Sequence, residues 1–189
     1  VDGDLREWGR LPLVVDEPGQ RSGHGIQRGP EDGSFRFGVW QDKSFLYLAV
    51  DVRDDSIVAS ADGVTREQDH VSFNLDVRPD PERSKNEETF VAIRSGAMAK
   101  MLSPRVALQE TRPDPVMGLF AGGVPEGVLQ AARRTQRGYA VEVAVPAKLL
   151  DERRGARWDA LRLNVSMNDF DEGEPDFVTL SWRPSRFEA

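Results

Sequence analysis

A chain of 189 residues, 39% hydrophobic and 30% charged, holds enough apolar material for one well-cored domain and is short for two. Its formal charge of -7 disfavours nonspecific nucleic-acid binding, which needs a basic surface, and fits neutral ligands or cations. The lack of cysteine excludes disulfides, thiolate zinc sites and cysteine nucleophiles, and no apolar run is long enough to insert in a membrane.

The opening VDGDLREWGRLPLVV reads as a turn followed by a short apolar segment ending at Val15, with Trp8 plugging one end of the fold. Residues 16–34 are rich in Gly, Pro and charge and read as loop. Phe35, Phe37 and Val39 alternate toward Trp40, and the polar break 41–44 has hairpin length. Phe45 to Val52 is a near-continuous apolar run, ended by Asp54 and Asp55. Val71, Phe73, Leu75 and Val77 alternate with Ser72, Asn74 and Asp76. Residues 78–88 read as loop and 89–94 as a strand, while 95–127 carry no firm pattern. Residues 128–135 and 138–145 form a hairpin pattern around Gly138, and 147–150 fit one helical turn. Leu161, Leu163, Val165 and Met167 alternate with Arg162, Asn164, Ser166 and Asn168, and an acidic loop follows from Asp169 to Asp176. The last strand is 177–182.

About eight short strands with period two, turn-rich connections and no long amphipathic helix define an all-β chain. The expected architecture is a single antiparallel β-sandwich over residues 1–189, of immunoglobulin-like or jelly-roll type, with long loops and little helix. The chain starts at Val1 with no signal-peptide pattern and is expected to be one domain linked to others of a longer protein.

These landmarks resemble family nine carbohydrate-binding modules and their DOMON-like relatives. The resemblance rests on VDGDLREW, FGVWQDKSFLYLAVDVRDD, QDHVSFNLDVRPD, FVAIRSG, GYAVEVAVPAKLL, LRLNVSMNDFDEG and the closing LSW, in that order, covering almost the whole chain. It implies a sandwich that binds saccharide, is exported to the periplasm or outside a bacterial cell, and holds structural calcium. It places Arg94 and Trp182 where the family has a binding arginine and the second of two clasping tryptophans. The places of the first tryptophan and of a glutamate hold Arg66 and Ser72 here.

Sugar recognition needs an aromatic face for pyranose C–H groups and convergent polar groups for hydroxyls. The candidates are Trp182, Arg94, Asn74, Asn164 and Ser72, the last three on the polar phase of their strands. Trp182 follows Val178 and Leu180 on an apolar phase, so core packing competes with binding there. For a cation, Asp169, Asp171 and Asp176 supply carboxylates, with the Asp54/Asp55 turn as a second source and a solvated acidic loop as the alternative. His24 and His70 form no close-spaced ligand pair, so a zinc enzyme is not expected. Some DOMON-like relatives ligate haem through Met. Met98, Met101, Met117 and Met167 read instead as core filler, and no haem is expected. The basic group Arg133, Arg134 and Arg137 reads as a solvated strand edge. No nucleophile–base pair or fixed carboxylate pair marks an active site. The expected function is non-catalytic saccharide binding, with a spacer domain and a haem electron-transfer domain as alternatives.

Overall fold

The computed structural model describes residues 1–17, 20–59, 68–77, 101–102, 105–106, 126–173 and 176–183. The strands are β1 (Leu13–Val15), β2 (Arg21–Gly23), β3 (Gly33–Gln41), β4 (Phe45–Asp54), β5 (His70–Asp76), β6 (Met101–Leu102), β7 (Arg105–Val106), β8 (Leu129–Thr135), β9 (Gly138–Pro146), β10 (Arg162–Phe170) and β11 (Phe177–Ser181). One sheet runs β1-β3-β4-β9-β8 and the other β2-β11-β10-β5-β6, with β7 also paired to β5. Every pairing is antiparallel. The all-β sandwich expected from the alternation is the fold observed. No helix among the described residues is long and apolar enough to cross a membrane.

The core forms where the inward phases of the two sheets meet. Phe35, Phe37, Leu48, Val50, Val52, Val141 and Val143 come from one sheet, and Val71, Phe73, Leu75, Val165, Met167 and Leu180 from the other. Period-two alternation places each set on one face of its sheet, and removing both faces from water is the main stabilising term. Met167 is part of this core, and Met98 and Met117 lie outside the described residues.

Three short strands were not legible. β2 sits inside the expected loop 16–34, and β6 and β7 lie inside the unpatterned 95–127. Each has two or three residues, too few for alternation to register. The expected helical turn is an eight-residue helix, α1 (Ala147–Arg154), closed by Gly155 in the left-handed conformation. The strand expected at 89–94 lies outside the described residues.

β9 is buried on both faces, its outward phase of Ala140, Glu142 and Ala144 included. The cause is the N-terminal segment. A 3-10 turn, Leu5–Trp8, and Leu11 lie across the outer face of the five-stranded sheet, with Trp8 and Leu11 over Gly38. Trp8 therefore covers a sheet face and does not plug the end of the sandwich. Ala49, Ala131, Ala140 and Ala144 leave room for this close approach.

At the β8–β9 hairpin, Gly138 has φ 141°, and a Cβ there would lie 2.2 Å from the Val52 carbonyl oxygen. Both the backbone conformation and the approach of β4 require glycine. Gly138→Ala is expected to destabilise the fold by about 2–5 kcal/mol. A denaturant melt reads this directly, and a loss under 1 kcal/mol would show that the hairpin relaxes freely.

Candidate functional site

Four inward strand phases end in polar residues at the same end of the sandwich. On β4 the row Leu46, Leu48, Val50, Val52 continues to Asp54, and on β9 Tyr139 precedes Val141. On β10 the row Val165, Met167 continues to Asp169. Asp69 stands one residue before β5, in phase with Val71 and Phe73. Asn168 pairs with His70, so the next position outward sets Asp169 opposite Asp69. Antiparallel register thus carries three aspartates into one buried group.

One carboxylate oxygen from each of Asp54, Asp69 and Asp169 lies within 4.8 Å of the others. The three residues are only 3–5% exposed. Asp69 accepts from the backbone N–H of Val58 at 2.6 Å and of Phe170 at 2.7 Å, tying the segment after β4 to the end of β10. Asp54 accepts from the Ser56 N–H at 2.9 Å. Asp54 Oδ2, Asp169 Oδ1 and the Tyr139 hydroxyl are buried without a hydrogen-bond partner. Burial, then the neighbouring Asp54 charge, pushes Asp69 up to about 9. Burial, then Asp54 and Asp171, pushes Asp169 up to about 8. Burial raises Asp54 to about 6 against the opposing Ser56 hydrogen bond. Desolvation followed by like-charge crowding is the signature of carboxylates lacking a counter-charge.

A second group adjoins the first, formed by Asp32, Asp55 and Asp171. Asp32 is 4% exposed and its Oδ1 has no hydrogen-bond partner. Arg28 Nη1 stands 3.3 Å from Asp171 Oδ2 and 3.7 Å from Asp32 Oδ1. Of the carboxylates read as one acidic loop, Asp169 belongs to β10 and the buried group, and Asp171 to the second group. Asp176 is exposed and belongs to neither group. Six aspartates with no nitrogen or sulfur donor among them, three of which (Asp32, Asp54 and Asp169) hold a buried oxygen without a hydrogen-bond partner, suit a hard divalent cation such as calcium. Asp54 and Asp55 divide between the two groups, so the β4 turn and the β10 end serve one locus.

The residues read as saccharide contacts fall into three places. Asn164 pairs with Asn74 and Ser166 with Ser72, putting Ser72, Asn74 and Asn164 on the outer face of the six-stranded sheet. Asn164 is buried, and its amide both donates to the Arg183 carbonyl and accepts from the Arg183 N–H, each at 3.0 Å. Trp182 continues the inward phase of β11. Its ring meets Phe37 edge-on at 5.2 Å, and the Arg183 guanidinium lies 5.0 Å from its centroid. Arg94 and Arg66 lie outside the described residues. His70 is buried with Nδ1 2.9 Å from the Gln68 carbonyl, and His24 is exposed.

No protein-family model and no curated protein matches the sequence. Solved structures do match. A family 9 carbohydrate-binding module from Caldicellulosiruptor kristjanssonii, in complex with cellotriose, superposes with a TM-score of 0.64 at 14% identity. The match covers 96% of this chain and 78% of that one. The fold is that of a family 9 carbohydrate-binding module. A complex of such a module from the same organism with glucose gives a TM-score of 0.62 at 14% identity, over 95% of this chain and 80% of that one. A protein from Bacteroides uniformis, provisionally described as carbohydrate-binding, gives 0.50 at 13% identity, over 96% and 82%. The family 9 fold accounts for both sheets.

The sequence reading missed Asp69, Asp32 and Tyr139 as members of the carboxylate locus. Asp54, Asp69 and Asp169 each extend an apolar alternation by one more step, which is the signal that finds them. A charged residue on an inward phase is costly unless something compensates it.

Proposed function

We propose that this chain is a non-catalytic carbohydrate-binding module whose sandwich is braced by calcium at the aspartate locus. The observation that carries the reading is the match along 96% of the chain to a module holding cellotriose. The carboxyls with raised pKa support the non-catalytic part. Asp54, Asp69 and Asp169 are packed between the sheets, where a glycosidic bond has no access, so they suit a cation and not acid catalysis. The saccharide surface is the outer face of the six-stranded sheet at the strand positions of Ser72, Asn74 and Asn164, with Arg94 a further contact that the family resemblance implies and Trp182 on the inward phase at the end of β11. Trp182 already packs on Phe37 and under Arg183, so stacking there is limited and millimolar affinity is expected. Export to the periplasm or the cell exterior fits a module that meets polysaccharide.

Titration with glucose, cellotriose and a broad saccharide panel, followed by tryptophan fluorescence and chemical shifts, tests the reading. Saturable millimolar binding, several-fold weaker in Asn74→Ala and Arg94→Ala, is the expected result. Silence across the panel would favour a spacer domain, and a haem absorbance band in purified protein would favour electron transfer.

A further inference from the structure

The outer face of the five-stranded sheet carries a groove of about 1110 Å³ between the N-terminal turn and the β8–β9 hairpin. Five arginines line it, Arg6, Arg10, Arg36, Arg133 and Arg134, against two aspartates, Asp4 and Asp51. In a chain of net charge -7 this is a local concentration of guanidinium groups on the groove surface, with the acids Asp2, Glu7 and Glu142 gathered behind its N-terminal wall. The register explains the placement. Arg36 pairs with Asp51, Asp51 with Ala140, and Ala140 with Arg133, so two guanidinium groups flank a low floor. Three inter-strand steps put their backbones roughly 14 Å apart, room for an oligosaccharide.

The groove is also braced. Buried Glu142 accepts from the Asp2 and Gly3 N–H groups at 2.9 and 2.8 Å and from Trp8 Nε1 at 2.7 Å, fixing the turn that forms one wall. Gly3 has φ 79°, and a Cβ there would lie 2.9 Å from Arg133 Cβ, so the wall seats directly on β8. Asp4 Oδ2 contacts Arg6 Nη2 at 2.7 Å and Arg133 Nη1 at 3.2 Å, orienting both guanidiniums before any ligand arrives. Asp51 is the counter-charge in the floor. Burial raises its pKa, with Arg53 and Arg36 opposing.

We propose that this groove is a second ligand site, on the opposite sheet from the first, and that it takes an acidic saccharide, a uronate-bearing chain. Planar guanidinium forks match carboxylates with paired hydrogen bonds, and arginine is the side chain suited to that geometry. The choice of a saccharide as carrier of the charge rests on the carbohydrate-binding reading.

The test is calorimetric titration of the full chain with pentagalacturonate, cellopentaose and a thymidylate pentamer, at low and moderate salt. Pentagalacturonate should bind, with affinity falling about tenfold in Arg36→Gln and again in Arg36→Gln/Arg10→Gln, and falling with salt. Glutamine keeps much of the apolar stem and removes the charge, and circular dichroism checks the fold of each variant. Asn74→Ala, on the other sheet, should leave pentagalacturonate binding unchanged. Cellopentaose binding without pentagalacturonate binding overturns this site and leaves the module reading standing, whereas no binding of either sugar overturns both. Pentagalacturonate binding indifferent to the arginine variants overturns the assignment to this groove. Equal affinity for the thymidylate pentamer overturns the saccharide specificity.

Discussion

Chelating calcium should lower the melting temperature of this protein by about 5–10 °C at pH 8, and by much less at pH 5. The sign follows from the aspartate locus. Asp69 and Asp169 titrate in the folded chain at about 9 and about 8, far above the 3.8 of an ordinary aspartate. Between those limits the unfolded chain has released protons that the cation-free folded chain retains. Its stability then falls as pH rises, by up to about 1.4 kcal/mol per pH unit for each such carboxyl. A bound divalent cation supplies the missing counter-charge and removes that penalty. At about a hundred times its dissociation constant it adds about 2.7 kcal/mol, or roughly 5–10 °C for a chain of this size. Asp169→Asn gives a crossed result. In chelator at pH 8 the variant should melt at or above the wild-type temperature, because a buried acid is gone. In calcium it should melt several degrees below wild type. Equal melting temperatures with and without calcium at pH 8, together with a flat pH profile in chelator, would remove the cation from the account.

The carboxylate locus illustrates what the sequence holds and what it withholds. Alternation along Arg162–Phe170, and from Val50 to Asp54 at the end of the apolar run of β4, specifies inward faces, because a residue's face depends only on parity. It also marks Asp54 and Asp169 as carboxylates on inward phases. What parity cannot give is the partner. Asp69 meets Asp169 only because β5 lies beside β10, and β4 faces both across the core, a matter of strand order set by the whole chain. The acidic stretch 169–176 looks like one loop by composition, yet the strand continues to Phe170 and divides it.

The same limit explains the saccharide candidates. Parity sets Ser72, Asn74 and Asn164 on one face, and register confirms that they are neighbours there. It also sets Trp182 inward with Val178 and Leu180, where it finds Phe37, a contact between strands of different sheets. The hydrogen bonds from Asn164 to both backbone groups of Arg183 depend on where the chain turns after β11, and no local pattern encodes that. On the other sheet, the arginines of the hairpin read as a solvated edge, because the wall that makes them a groove begins more than a hundred residues earlier, at Gly3.

Glu142→Ala should be among the most destabilising single changes outside the core, costing about 3–5 kcal/mol. Its carboxylate is 3% exposed, yet it sits on the outward phase of β9 between Ala140 and Ala144. Three donors converge on it, the N–H groups of Asp2 and Gly3 and the Trp8 indole. Removing it strands those donors against a covered sheet face, where each unsatisfied group costs about 1–3 kcal/mol, and opens a cavity beneath Trp8. Part of the cost is recovered if the N-terminal turn detaches and its amides reach water. Detachment has its own readout, faster tryptic cleavage after Arg6 and Arg10, which the anchored turn should resist. Glu142→Gln separates charge from shape. It keeps one acceptor oxygen but points an amide NH2 at donors on the other side, so it should recover only part of the loss. It should also weaken pentagalacturonate binding although every groove arginine remains, because the wall that orients Arg6 is no longer held. If Glu142→Ala melts within 1 kcal/mol of wild type and Arg6 and Arg10 stay protected, packing of Leu11 and Trp8 alone holds the turn, and the buried carboxylate is not its anchor.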